Sequence, residues 1–397
     1  MSFRILKFIL RKLIKSKSIL IKSDNSEYLI DNGNDAVILK INNKKFLKKI
    51  YYAPSLVLTE GYMDKDYELE NASFYEFSDL LIENYNKYLE KVSKSIFFRI
   101  FLIINPFFQL NFVKRSKNNI ANHYDLSDKL YDLFLDETRQ YSCAYFEKET
   151  DTLSDAQNNK MNRLADKLLL NSSDNVLDIG CGWGSLSKNF VDNYKCNVKG
   201  ISLSEEQIKY CNEQLENNKN KEKLNYSLQD YRDENNSYSK IVSVGMFEHV
   251  GKPFYKTYFN KIHELLSDDG IAVVHTIGNI RTPKLTPAFI RKYIFPGGYI
   301  PSLSEIMPAI ECSGLIISDI EVLRLHYAKT LSHWFQNFRN SKDEVLKLYD
   351  DRFIRLLMII RRLIDECRQM SVSRSTNMIN SLVGVLSEAI EICSATS

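Results

Sequence analysis

Val176-Leu-Asp-Ile-Gly-Cys-Gly-Trp-Gly184 is the stretch whose reading decides the fold. An apolar run of strand length enters a turn with three glycines. It leaves into residues 185–194, where apolar positions recur at helical spacing. Strand, glycine turn and helix together make a ligand-binding corner, because glycine tolerates positive φ and lets a ligand approach the backbone. A dinucleotide fold is the competing reading, and the G-x-G-x-G spacing argues against it. Asp178, at the strand end, can accept hydrogen bonds from the turn or from a ligand's amino group.

Working outward, further strands are expected over residues 197–201, 224–228, 240–244, 271–277 and 315–322, and helices over 205–217 and 254–266. Apolar strands alternating with helices imply an α/β fold, a Rossmann-like and mostly parallel sheet covered on both faces. Such a sheet binds ligands at the carboxyl ends of its strands. Upstream, residues 23–95 read as a smaller α+β N-terminal domain. It has short strand-like runs at 36–41 and 48–52, a turn at Thr59-Glu-Gly-Tyr62 and a helical pattern over 74–89.

With 53 basic and 50 acidic residues the net charge is only +3, which speaks against a nucleic-acid binder with a basic surface throughout. The charge is uneven, however. Residues 1–22 carry seven Lys and Arg and no acid. Wound as a helix, Phe3, Leu6, Leu10 and Leu13 fall on one side and Arg4, Lys7, Arg11 and Lys15 on the other. This segment is either a membrane-surface element attracted to anionic lipid headgroups or a terminal helix docked on the protein's own core. Lysines interrupt every candidate apolar core, so a secretory signal fits poorly. Residues 96–118 hold a hydrophobic connector broken by Arg99, Asn105, Pro106 and Gln109, which is read as buried between domains rather than spanning a bilayer. The seven cysteines show no C-x-x-C pair, so no metal site is expected and a reducing compartment fits.

The string Asp178-Ile-Gly-Cys-Gly-Trp-Gly184 closely resembles the first motif of class I methyltransferases, which bind S-adenosylmethionine. Most of that class hold the ribose with an acid at the end of the second strand. Here the strand ends Gly200-Ile-Ser-Leu-Ser-Glu-Glu-Gln207, and Ser202 and Gln207 can serve a hydroxyl or an amide instead. Asp230-Tyr-Arg232, after the third strand, offers a flat ring and polar groups to adenine, although Tyr231 is equally readable as a packed core aromatic.

That departure is itself a pattern of the cyclopropane-fatty-acyl-phospholipid and mycolic acid cyclopropane synthases, which the chain resembles. The same resemblance runs through His123-Tyr-Asp-Leu-Ser127, Gln140-Tyr-Ser-Cys-Ala-Tyr-Phe146, Ser243-Val-Gly-Met-Phe-Glu-His-Val-Gly251 and His275-Thr-Ile-Gly278. Phe295-Pro-Gly-Gly-Tyr-Ile-Pro301 and His326-Tyr-Ala-Lys-Thr-Leu-Ser-His-Trp334 also match. The strings span about residues 119–355, and residues 36–70 resemble the family's N-terminal domain. The implied methyltransferase domain runs over 119–397. Its tail departs from the family after about residue 355, where Cys367 lies out of register with an expected cysteine.

The resemblance implies transfer of a methylene group from S-adenosylmethionine to the cis double bond of a phospholipid acyl chain. A carbocation forms on the way, so water must be excluded and a base must take a proton from the incoming methyl. In the family that base is a bound bicarbonate. The resemblance assigns its site to the side chains of Glu248 and His275, main-chain groups of Cys143 and Ile277, and the Tyr327 hydroxyl. It assigns the cofactor to Tyr141, Ser142, Asp178, Gly180, Gly182, Gly184, Ser202, Leu203, Gln207, Tyr231 and Arg232. Tyr124, Tyr141, Tyr145 and Phe247 are aromatic positions suited to a cation or to an acyl wall. The family also suggests a homodimer, a cytoplasmic enzyme peripheral to the inner face of the membrane, and lipid rather than nucleic-acid partners. Related enzymes leave a methyl branch instead of a ring, and a relative with an altered tail can keep lipid binding while losing turnover.

Overall fold

The computed structural model describes residues 18–23, 26–30, 36–43, 54–81, 128–216, 218–279, 288–294, 298–359 and 389–395, with a few single positions between. The chain divides into two compact units. One holds the described residues up to 81 together with 288–294 and 341–359, and the other holds 128–279, 298–340 and 389–395. The contiguous domain expected from residue 119 onward is thus interrupted twice by segments that belong to the smaller unit.

The smaller unit is built on a four-stranded sheet of order β2-β1-β3-β4, from β1 (Ile19–Ser23), β2 (Ser26–Ile30), β3 (Val37–Ile41) and β4 (Tyr67–Leu69). Residues 19–22, expected to end the basic helix, are instead in β1, with Ile19 and Ile21 fully buried on its inner face. The period-two burial of an I-x-I run decides for strand. The amphipathic stretch before it lies outside the described residues, as do 48–52 and the 96–118 connector. Residues 59–62, expected as a turn, lie inside helix α1 (Pro54–Met63). A helical glycine costs about 1 kcal/mol. Burying Val57, Leu58 and Met63 stabilises by about 1.5–3 kcal/mol each, so packing overrides the glycine. Residues 74–81 are helical, as expected for the start of 74–89.

The larger unit carries a seven-stranded sheet. Two helices precede it, α2 (Asp128–Phe134) and α3 (Leu153–Leu168). Thr152 and Asp155 form a reciprocal capping box that starts α3, and Leu169 in the left-handed region ends it. Then follow β5 (Asn175–Ile179), α4 (Ser185–Tyr194), β6 (Asn197–Ser202), α5 (Glu205–Leu215), β7 (Leu224–Leu228), β8 (Tyr238–Val244), α6 (Tyr255–Leu265) and β9 (Leu266–Ile277). After α7 (Leu303–Glu311) come β10 (Ile316–Val322), α8 (Arg324–Asn340) and β11 (Ala389–Ala395).

The strand order is β10-β11-β9-β8-β5-β6-β7. Pairing is parallel from β7 to β9, while β11 runs antiparallel to both β9 and β10. The chain leaves β5 toward β6 and β7 and then returns to β8 on the other side, so the carboxyl ends of β5 and β8 flank a topological switch point. Aromatic residues of α6 and apolar residues of α7 pack one sheet face, and residues of α3, α4 and α5 pack the other. The tail that departs from the family strings therefore ends in a strand that completes the sheet.

Candidate active site

The three glycines of the turn have different duties. Gly182, at φ +56, has nothing within 4 Å of where a Cβ would stand, so its face is open to a ligand. Gly184, at φ +81, begins α4, and a Cβ there would stand 2.5 Å from the Tyr226 hydroxyl and 2.8 Å from Cys211 Sγ. That hydroxyl donates to the Gly184 carbonyl at 2.7 Å. Gly184, expected at the cofactor, thus serves the packing beneath the turn, and it is not among the residues that line the cleft above it.

That cleft sits at the carboxyl ends of β5, β6 and β8. The remaining residues assigned to the cofactor line it: Tyr141 and Ser142, Asp178, Gly180 and Gly182, Ser202, Leu203 and Gln207, and Tyr231 with Arg232. Asp178 is buried and accepts from Ser187 Oγ of α4 at 2.6 Å. Burial pushes its carboxyl up to about 6 against the pull of that hydroxyl and of Lys160. Ser202 Oγ donates to Gln207 Oε1 at 3.0 Å, which leaves the Gln207 amide N–H groups as donors. Arg232 is held bidentate by Asp230 at 2.9 and 2.7 Å. Tyr231, half-buried, lines the cleft while its ring meets Tyr258 edge-on at 5.3 Å.

Behind the cleft lies a second, smaller cavity that shares Tyr141, Ser142 and Gly245 with it. Cys143, Glu248, His275, Ile277 and Tyr327 all line it. They come from separate elements. Cys143 lies in the loop between α2 and α3, Glu248 in a short helical turn after β8, His275 and Ile277 at the end of β9, and Tyr327 on α8. The parallel pairing of Val244 with His275 sets β8 and β9 in register, and the Tyr299 amide donates to the Glu248 carbonyl at 2.9 Å.

The cavity is dry enough to move its ionisable groups. Glu248 is 4 % exposed, and burial raises its carboxyl to about 7 although the Ile277 amide pulls the other way. That amide donates to Glu248 Oε1 at 2.6 Å, and Oε2 is buried without a hydrogen-bond partner. Of the main-chain groups of Ile277 assigned to the ion's site, the N–H bonds the carboxylate beside it. Burial, with Lys160 adding to it, pushes His275 down to about 3, so its imidazole is neutral.

Two aromatic positions belong elsewhere. Phe247 is fully buried among Tyr255, Tyr258 and Phe259, at centroid distances of 4.5, 5.1 and 5.4 Å. Tyr145 stacks on His326 at 4.6 Å beneath the Arg163 guanidinium. Neither lines either hollow. Tyr141 does, packed against Trp334 at 5.2 Å, and burial pushes its hydroxyl up to about 12. Tyr124 lies outside the described residues.

Sequence reasoning passed over Arg139, Trp183 and His249 in the cleft. It also passed over Gln157 and Lys160, which do not line either hollow but hold the loop that does. Both are fully buried on the inner stripe of α3, between Ala156, Met161 and Leu164. The available signal is two polar residues on a stripe where helical periodicity calls for apolar ones.

The chain is similar to several known proteins. The family described as Mycolic acid cyclopropane synthetase matches residues 112–379. The cyclopropane-fatty-acyl-phospholipid synthase of Escherichia coli K12 is 36 % identical over 325 residues, covering 82 % of each chain. The solved cyclopropane synthase MmaA2 from Mycobacterium tuberculosis superposes with a TM-score of 0.63 at 28 % identity, covering 70 % of this chain and 98 % of that one. The mycolic acid cyclopropane synthase CmaA1, complexed with SAH and CTAB, gives 0.63 at 29 %, covering 70 % and 98 %.

Proposed function

The chain belongs to the mycolic acid cyclopropane synthetase family, and we propose that it closes cyclopropane rings on unsaturated phospholipid acyl chains with bicarbonate as general base. Membership carries S-adenosylmethionine-dependent transfer of a one-carbon unit to lipid double bonds. The phospholipid and the bicarbonate are the further steps. One observation supports them most: Glu248, His275, Tyr327, Cys143 and Ile277 converge on one buried cavity beside the cofactor cleft.

The cleft suits S-adenosylmethionine. The open face of Gly182 admits the ligand to the backbone, the buried Asp178 carboxylate suits an amino group, and the Gln207 amide suits a ribose hydroxyl. When bound, it supplies an electrophilic methyl. The cavity suits bicarbonate, which would supply a base that is not itself alkylated. Glu248 Oε2 is the acceptor for the ion's hydroxyl, and its near-neutral affinity for protons lets that proton be shared. The neutral imidazole of His275 and the Tyr327 hydroxyl serve as donors. Tyr141, in the wall between cleft and cavity, packs on Trp334 of the cavity, and the two rings keep water from a carbocation. The strand β11 completes the sheet beside β9, which favours a working enzyme over an impaired relative.

Incubation with unsaturated phospholipid vesicles and methyl-labelled S-adenosylmethionine tests this reading. Labelled acyl chains with the ring protons of a cyclopropane are expected. A methyl or methylene branch would reassign the product, and unlabelled chains would remove the activity.

We place the enzyme at the cytoplasmic membrane surface, held to anionic headgroups by the basic stretch before β1. Among the described residues no helix is long and apolar enough to cross a membrane. Because Ile19 begins the sheet, the informative truncation removes residues 1–17 only. It should co-sediment less with anionic vesicles at low salt, and undiminished binding would exclude the stretch from that role. A homodimer follows from the resemblance, and light scattering of the full chain measures it.

A further inference from the structure

The small cavity poses an electrostatic problem that its own lining does not solve. None of the residues lining it is a lysine or arginine, and His275 is held neutral. An anion moved from water into such a hollow is penalised unless a positive charge lies close by. The fully buried Lys160 of α3 stands one residue behind the wall. Its ammonium donates to Ser142 Oγ at 2.8 Å and to the Gln140 side-chain carbonyl. One turn earlier on the same stripe, the Gln157 amide donates to the main-chain carbonyls of Ser142 and Gln140, at 3.1 and 3.3 Å. Together they fix the strand of loop that leads into Cys143. The charge of Lys160 is felt at His275 on the cavity side and at Asp178 on the cleft side.

We infer that Lys160 is a positioning residue for the anion: a permanent buried cation behind Ser142 that offsets the charge of a bicarbonate held by Glu248, His275 and Tyr327. The inference rests on the reading of that cavity as the base's site. Unlike a sulfonium, which is spent when its methyl leaves, the ammonium is not consumed by the transfer. It therefore stabilises the anion through the whole cycle. A buried lysine is a costly side chain to keep.

The test compares Lys160→Met, Lys160→Gln and Lys160→Arg with the parent in buffer stripped of carbon dioxide. Bicarbonate binding is read directly from line broadening of 13C-bicarbonate. The half-saturating bicarbonate for activity and the Kd of S-adenosylmethionine by calorimetry are measured beside it. Lys160→Met should raise both bicarbonate values by at least about tenfold while changing the cofactor Kd by less than about threefold, since only the anion's charge is left uncompensated. Lys160→Gln keeps a donor for Ser142 but not the charge, so it should follow Met and can be read if Met does not fold. Lys160→Arg should restore the parent values to within about threefold, because the charge is kept. Parent-like bicarbonate binding in a folded Met or Gln variant would overturn the inference, as would an arginine variant as weak as the neutral ones. A cofactor Kd that moves as far as the bicarbonate values would assign Lys160 to Asp178 instead. If the parent itself binds no bicarbonate and needs none, the reading of the cavity fails rather than the role of the lysine.

Discussion

The cleft and the cavity behind it share a wall of Tyr141, Ser142 and Gly245, yet they handle charge in opposite ways. In the cleft, Arg232 is paired on the spot with Asp230, and Asp178, although burial raises it as well, accepts from the Ser187 hydroxyl. In the cavity the carboxyl of Glu248 keeps one oxygen without a hydrogen-bond partner, and burial drives Glu248 and His275 toward their neutral forms. A site that recognises a large, polar co-substrate can satisfy its own groups in advance. A site that must accept a small ion and later a proton has to leave a group wanting. On the proposed function, the difference separates recognition from proton transfer.

The sharpest way to break this contrast is Glu248→Gln. The amide fills the same space and cannot share a proton, so turnover should fall by about 10²-fold or more. Cofactor affinity by calorimetry should stay near the parent's. Comparable losses in both would dissolve the distinction between the two hollows.

The same variant sharpens the contrast through stability. Glu248 is raised from 4.5 to about 7 in the fold. Between those values the unfolded chain has released a proton that the folded chain keeps, so this group's contribution falls as pH rises through the window. Glu248→Gln should therefore gain on the parent by about 3 kcal/mol between about pH 4.5 and pH 7, and stay level above. His275, depressed to about 3, has the opposite sign, costing stability as pH falls through 6.5, and it cancels because both proteins carry it. Urea midpoints at about pH 5 and pH 8 measure the difference. A constant offset would mean that Glu248 is solvated.

Within the glycine turn, Gly184→Ala should cost about 2 kcal/mol of stability, since its Cβ meets Tyr226 and Cys211 and its φ is left-handed. Gly182→Ala should cost about 1 kcal/mol for its backbone and act chiefly on cofactor Kd. Thermal melts beside calorimetry separate the two. The smallest effect is expected from Ser187→Ala, which removes one donor to Asp178. About 1 kcal/mol of stability should go, with a weaker cofactor and unchanged bicarbonate dependence.

The parallel half of the larger sheet was open to sequence reasoning because fully apolar strands ending at glycine are hard to mistake. The spans read for β5, β7 and α4 coincide with those observed. β9 begins five residues earlier than read, since Leu266 already pairs with Tyr238, and Asp268-Asp-Gly270 forms an irregularity at which the register with β8 shifts before Ile271 pairs with Lys240. β11 was missed altogether. Its partners lie far away in sequence, and a seven-residue antiparallel strand carries no local signature beyond weak alternation. For the site, the five residues that motif resemblance assigned to the ion all line one cavity. What it did not give was the Ile277–Glu248 hydrogen bond or the support from Gln157 and Lys160, both of which arise only when β9, the turn after β8 and α3 are packed together. Phe247 and Tyr145 show the converse, aromatic residues inside a motif that line neither hollow, Phe247 being packed in the core and Tyr145 stacked on His326.

The most direct test follows ring formation by the full chain on unsaturated phospholipid vesicles, first in carbon-dioxide-free buffer and then with bicarbonate restored. The cavity described above predicts that cyclopropane formation collapses on depletion and returns in a saturable way, with cofactor binding untouched throughout. Ring formation at an unchanged rate in the depleted buffer would contradict it, and would leave Glu248 itself as the base.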